Sequence, residues 1–522
     1  MKKYLFSLIF IAALLLSIYY GTLKQGFHED EYYTYYSTNR SLGLYQPDRE
    51  WQDRQTVLDE FVVREGEGFN YGLVKLVQSW DVHPPFYYFV FHTICSFVPG
   101  VFTKWTGIIT NLIAFAISFL FFALIMKELE APLWVELLTL IFWGLNPQTV
   151  SCNMLIRMYA WLSAAIFACA FFHVRLLRLY DSGTKDYRKL FLTALLPIMA
   201  CSYLGFLIQY FYIFFFVSIG FGCFVYLLFI RKDIRFTAVY VFSCALSLGL
   251  AIITYPSALS HMFGGYRGGD AAGSLFDFGS TWMRIAFFTG LLNDFVFGGG
   301  LVAVFFLLLV GILLKMTARN RKREKGREMS YKWLILIFAA LGYFLLTSKS
   351  ALLVGAASNR YEMPIYGLLI FLILEDAYYV LKDFDNMGFR YIFAAVIIAL
   401  LLKGHIYDHR VLFLYPEDKE KTAYAAENSG EVAVVMFNPA TPQNVWRLTN
   451  ELLQYPKVFY MDEENLAPLT DPDVTSATKI ILYAADNDLQ SEAFKNLTTS
   501  CKNLTSMTVK FTEDMWTSYE IN

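Results

Sequence analysis

Apolar stretches long enough to cross a bilayer recur from the first residues to about residue 404, and nothing else in the chain constrains its fold as strongly. A span needs roughly 20 mainly apolar residues. Stretches of that kind lie at 4–23, 105–126, 133–150, 154–176, 190–206, 207–230, 236–256, 296–315, 332–347, 362–381 and 391–404. Soluble domains carry about 25% charged residues, whereas this chain has 17% charged, 56% hydrophobic and a mean hydropathy of +0.42. The expected fold class is an α-helical polytopic membrane protein with about eleven transmembrane helices. No small-x-small cleavage site follows "SIYYGTLKQGF", so the first stretch is expected to stay as an anchor.

Lys and Arg collect beside membrane spans on the cytoplasmic side. "MKK", "RLLRLYDSGTKDYRKL" at 175–190, "RKDIR" at 231–235 and "KMTARNRKREKGREMSYK" at 315–332 fall on one side of this span pattern. The expectation is a multi-pass protein of the plasma or inner membrane with a cytoplasmic N-terminus. The basic run at 319–327 then reads as a topology signal in a solvated loop, not as a nucleic-acid patch. The segments expected outside are 24–104, 257–295, 348–361 and the tail from about 405.

That tail, 405–522, is polar and carries the short apolar runs "EVAVVMF" (431–437), "KVFYM" (457–461) and "TKIILYAA" (478–485), separated by helix-like or turn-rich pieces. It is expected to fold as a small extracytoplasmic α/β domain beyond a 1–404 transmembrane domain. Cys95, Cys152, Cys169, Cys201, Cys223, Cys244 and Cys501 show no CxxC or Cys/His metal spacing, so a disulfide framework is not expected. Asn-x-Ser/Thr triplets begin at Asn39, Asn496 and Asn503. There is no Walker loop, GxGxxG, HExxH or internal repeat, so no cofactor is expected; a divalent metal stays open, but no ligands for one are visible and none is assigned.

Residues 28–37, "HEDEYYTYYS", place Asp30 and Glu31 just beyond the first span. An acidic interfacial helix with a tyrosine belt would explain them structurally. A second stretch, "DVHPPFYYFVFH" at 81–92, puts His83 and two prolines before an aromatic segment too short for a span. The prolines fix an extended entry and permit a helix to start, as an amphipathic helix at the outer leaflet would require. Arg157, in "NMLIRMYAW" (153–161), stands at the head of a span, where arginine is costly unless it is paired or reaches water. The Gly-rich loop "YPSALSHMFGGYRGGDAAGS" (255–274) adds His261, Arg267 and Asp270. An acid pair, an imidazole and two arginines expected on one side fit binding of a phosphate held at the membrane surface.

Taken in order, "DE" after the first span, "HPPFYY", "RMYA" and "SNRYEMPIYGLL" (358–369) resemble the bacterial members of glycosyltransferase family 39. These are C-type (GT-C) membrane glycosyltransferases related to protein O-mannosyltransferases and lipid A aminoarabinose transferases; the resemblance runs from residue 1 to about 405. It implies inverting transfer of one sugar from a polyprenyl-phosphate sugar donor to a lipid, cell-envelope glycan or protein acceptor on the outer face. The family's catalytic acid matches Asp30, the expected general base, with Glu31 beside it to orient it or to touch the sugar. The HPP motif maps onto His83, Pro84 and Pro85. Arg157, Arg267 or Arg360 would meet the leaving phosphate, with Tyr87, Tyr88, Tyr159, His261 and Tyr361 as further substrate contacts. A lipid or polysaccharide flippase is the non-enzymatic alternative, and a scaffold for envelope assembly a third. Transporters tend to carry ionisable groups near the midplane and repeated halves, which this sequence does not show.

Overall fold

The computed structural model describes residues 2–40, 46–183, 186–317, 330–381, 387–513 and 515–522. Among these, eight helices are long and apolar enough to cross a membrane: Lys2–Leu23, Lys104–Glu128, Tyr159–Asp181, Tyr187–Ile208, Tyr212–Ile230, Ile234–Thr254, Tyr331–Ser350 and Gly355–Val380. A bent pair, Phe278–Val296 with Leu301–Leu313, turns through 89° and makes nine if it counts as one broken span. At 1.5 Å per residue, 20 residues match a hydrocarbon core of about 30 Å. The protein is a multi-pass α-helical membrane protein that also carries a small α/β unit.

The span count departs from eleven for local reasons. The stretch expected at 133–150 breaks into Leu133–Gly144 and Pro147–Met154. Asn146 caps the second helix by accepting the Gln148 N–H, and Pro147 fills its first turn, where a missing N–H costs nothing. Twelve residues reach only about 18 Å, so Leu133–Gly144 cannot cross alone. The stretch at 296–315 is interrupted by Gly298 and Gly299 in the left-handed region (φ 56° and 81°), and its helix starts only at Leu301. The last expected span falls in the 20-residue helix Met387–Ile406, which is not among the eight. The basic run at 319–327 lies outside the described residues.

The chain divides into two compact units, and the division does not fall at residue 405. The first comprises Met1–Gly21, Gln78–Val90 and Trp105–Leu412; the second comprises Thr22–Val77, Phe91–Lys104 and Phe413–Asn522. The first unit is a helical bundle centred on Tyr159–Asp181, which packs against Leu196–Ile208, Tyr212–Val225 and Asn359–Leu381. That central helix is buried along most of its length, while Leu8, Phe242 and Phe306 on other helices keep more than 60% exposure, as lipid-facing side chains do.

The second unit is built on a six-stranded sheet: β1 (Glu50–Asp53), β2 (Val432–Phe437), β3 (Lys457–Asp462), β4 (Ile480–Ala485), β5 (Met507–Thr512) and β6 (Trp516–Ile521), in the order β1-β3-β2-β4-β6-β5. β2 runs parallel to β3 and β4, with Val434 opposite Phe459 on one side and Leu482 on the other. Strands flanked this way are buried on both faces, which is why all three read as unbroken apolar runs. β1 comes from the first long inter-span segment and pairs antiparallel with β3, Trp51 opposite Phe459. Residues 24–77 and 91–104 therefore belong to the same unit as the tail, whereas 78–90 belong to the helical one.

Candidate functional site

In the first unit, polar side chains gather around the "DVHPP" turn and the head of the central helix. Arg157 lies in the short link between Pro147–Met154 and Tyr159–Asp181. Asn111 holds that link by donating to the carbonyls of Leu155 (2.6 Å) and Asn153 (3.3 Å). Gly107 gives it room, because a Cβ there would stand 2.2 Å from the Ile156 side chain. Arg157 is 4% exposed, and it donates to the Tyr88 hydroxyl at 3.3 Å and bonds His83 Nε2 at 3.1 Å. His83 Nδ1 meets Asp81 Oδ2 at 3.0 Å. These bonds assign the tautomer: Nδ1–H donates to Asp81, and Nε2 accepts from Arg157. Burial pushes the Asp81 carboxyl up, but the His83 ring and the Arg157 guanidinium outweigh it and hold the group below the usual carboxylate range.

The cluster extends through His261, whose Nδ1 bonds the Tyr210 hydroxyl at 2.9 Å while Nε2 meets the Ser79 carbonyl at 3.2 Å. The Tyr255 ring stands edge-on to His261 at 5.9 Å. Burial raises the phenols of Tyr210 and Tyr255, and the Asp81 charge adds to it. A second buried arginine, Arg360, begins the Asn359–Leu381 helix, its guanidinium 5.1 Å from the Tyr361 ring and bonded to that hydroxyl at 3.2 Å. Tyr361 meets Tyr159 perpendicularly at 5.9 Å. The helices headed by Arg157 and Arg360 are thus joined by a tyrosine pair. Tyr87 is fully buried beside Tyr88. Arg267 and Asp270 are exposed on the Tyr266–Phe276 helix.

Asp30 and Glu31 belong to the second unit, in the helix Glu29–Asn39. Its three leading acids have three different fates. Glu29 pairs with Arg447 at 3.1 Å. Glu31 is fully buried against Lys24, Nζ to Oε2 2.9 Å, and also accepts the His28 backbone N–H, closing a capping box. Burial draws the Lys24 ammonium below the ordinary lysine range, against the pull of Glu31 and Asp418. Asp30 is 28% exposed, and its carboxylate stands 3.6 Å from His28 Nδ1.

Of the tyrosines of this helix, Tyr32 and Tyr35 are buried core side chains, and Tyr33 and Tyr36 are half-buried. Tyr32 and Tyr35 pack on Phe61, Phe91 and Phe102, and Tyr33 and Tyr36 flank Trp446. Asn39 and Asn496, which begin two of the Asn-x-Ser/Thr triplets, are buried and donate to backbone carbonyls.

Sequence reasoning passed over Asp81, Tyr210, Tyr255 and Lys24. Asp81 was readable in "DVHPP", two residues before His83, and Lys24 as the basic residue nearest the acids; no local signal marks the two tyrosines. Among the described residues, no group of three or more His, Cys, Asp or Glu side chains is placed to hold a metal ion.

The fold and these groups define a multi-pass helical membrane protein with a mixed-sheet unit and, at the head of its central helix, a buried arginine bonded to a histidine–carboxylate pair. No family profile and no curated protein matches the chain. Crystal structures of ArnT from Cupriavidus metallidurans, in the apo state and bound to undecaprenyl phosphate, align with 98% of this chain and 97% of theirs. Their identity to it is 11%, with TM-scores of 0.49 and 0.48.

Proposed function

We propose that the protein is a membrane glycosyltransferase that moves one sugar from a polyprenyl-phosphate donor to a hydroxyl of an extracytoplasmic lipid, glycan or protein, with inversion. The observation that carries this reading is the Arg157–His83–Asp81 cluster. A guanidinium almost stripped of water at the end of a membrane helix is costly, and a lipid phosphate at the bilayer surface is the anion that makes such a group useful. Arg360, at the head of the adjoining helix, adds a second cation for the same ligand class.

In the proposed step, the acceptor oxygen forms a bond to the anomeric carbon while its proton passes to the Asp30 carboxylate. The bond from the anomeric carbon to the phosphate oxygen breaks, and its electron pair leaves with the lipid phosphate. Arg157 and Arg360 stabilise the charge that develops there. Asp30 is preferred to Glu31 as base because Glu31 is already committed to Lys24 and to the helix cap. His83 orients Arg157, and Asp81 fixes the His83 tautomer. The step uses no nucleotide and routes nothing through a metal.

The test is donor consumption by purified protein in detergent, with a pool of labelled polyprenyl-phosphate sugars and envelope acceptors. Asp30→Asn is expected to lose about 10²–10⁴-fold in turnover while inserting and melting like the wild type. Full turnover by Asp30→Asn overturns the base assignment. Wild-type protein that consumes no donor but moves lipid-linked sugar across a vesicle bilayer overturns the transferase reading in favour of transport.

A further inference from the structure

Lys24 and Glu31 each have 0% side-chain exposure. Removing both charges from water costs more than burying two apolar side chains of similar volume, so a helix start needing only stability gains nothing from them. Their geometry suggests another use. The Lys24 ammonium donates to Glu31 Oε2 at 2.9 Å and to the Phe413 carbonyl at 2.7 Å. The Phe27 and Tyr415 rings lie 5.5 Å and 5.4 Å from it, and its own carbonyl accepts from the Lys104 ammonium. The ammonium is therefore fixed on several sides. The Glu31 oxygen that accepts from Lys24 also accepts the His28 backbone N–H. His28 in turn accepts the Asp30 N–H on Nδ1 at 3.1 Å, and the same nitrogen stands 3.6 Å from the Asp30 carboxylate.

We propose that Lys24 is a positioning residue that, through Glu31 and the His28 cap, fixes the first turn of the Glu29–Asn39 helix and thereby the aim of the Asp30 carboxylate. The inference rests on the reading of Asp30 as the base. Proton transfer tolerates little misplacement, and an error of about 1 Å can cost about 10²-fold in rate. A helix start held only by its own cap would leave Asp30 free to wander over such distances. A buried, directional ion pair removes that freedom.

The experiment uses full-length protein in detergent and compares wild type, Asp30→Asn and the double variant Lys24→Met/Glu31→Met, which replaces both charges with apolar side chains. The double variant is expected to melt within a few degrees of wild type, while kcat falls about 10²-fold and KM for donor and acceptor changes less than twofold. Wild-type kcat in a normally melting double variant makes the pair purely structural and overturns the proposal.

A second comparison, Lys24→Arg against Lys24→Gln, is read at a temperature where circular dichroism shows both folded, and decides the matter if the double variant melts early. Arg, which keeps the charge, is expected to retain kcat within about fivefold, and Gln to lose about 10²-fold; equal kcat values overturn the proposal. Turnover retained by Asp30→Asn means that the base assignment has failed. Inactive Asp30→Asn beside a fully active double variant means that only the positioning role has failed.

Discussion

Lys24 and Arg157 are both buried cations, one in each unit, and their partners differ. Lys24 meets a carboxylate at 2.9 Å with no exposure on either side. Arg157 meets an imidazole nitrogen at 3.1 Å and a phenol at 3.3 Å, and behind that imidazole stands Asp81, one-third exposed. The first arrangement is closed: a buried ammonium against a buried carboxylate, flanked by the Phe27 and Tyr415 rings. The second includes an imidazole and a phenol in direct contact and a partly exposed carboxylate behind the imidazole. The contrast is between a cation held against a fully buried carboxylate and one bonded through an imidazole to a carboxylate at a partly exposed edge.

The sharpest way to break this contrast is Glu31→Ala. It leaves the Lys24 ammonium buried without its carboxylate, and should destabilise the second unit by about 3–5 kcal/mol in a denaturant titration. A loss below about 1 kcal/mol would mean that the pair is not the closed element described here. The next test concerns Glu451 in the same unit. Burial raises its carboxyl to about 8, with Glu513 and Asp418 adding to the effect and Lys421 opposing it. The native state thus keeps a proton that the unfolded chain releases near pH 4.5, so this residue's contribution to stability falls as pH rises from about 4.5 to about 8 and is flat above. Glu451→Gln should remove that slope, read as the difference between the two proteins' melting temperatures across the window.

In the first unit, Arg157→Lys keeps the charge but loses the planar fork. Donor KM should rise about tenfold with little change in melting temperature; an unchanged KM would take the donor phosphate away from this residue. The smallest effect is expected at Arg447, whose pair with Glu29 is partly exposed on both sides. Arg447→Ala should cost no more than about 1 kcal/mol.

Much of the architecture was legible because burial in lipid is written one-dimensionally, as runs of apolar residues near 20 long. The parallel strands β2, β3 and β4 were equally plain, being apolar on both faces. β1 was not, since "EWQD" is a short edge strand whose sheet partner among the described residues lies far along the chain. For the site, residue types out of place gave the signal: an arginine at a span head, an imidazole before two prolines, acids beside an apolar stretch. What the sequence could not separate was Asp30 from Glu31. Adjacent residues on a helix point about 100° apart, and here that rotation takes one into a sealed ion pair and leaves the other partly open. Nor could it show that Tyr32 and Tyr35 face inward, because that depends on Phe61, Phe91 and Phe102 arriving from elsewhere.

The strand pairing of β1 with β3 bears on how the protein is made. Residue 53 stands opposite residue 457 in the sheet, so the ribosome must add 404 residues (457 − 53) after Asp53 before that partner exists. At 5–20 residues per second, this takes roughly 20–80 s. Throughout that interval, while later helices are still being threaded into the bilayer, Trp51 lacks Phe459 and the Tyr33 and Tyr36 rings lack Trp446. The helix carrying Asp30 therefore reaches its finished surroundings only once translation is nearly over, so a nascent chain cut short before the tail would not complete the surroundings of Asp30.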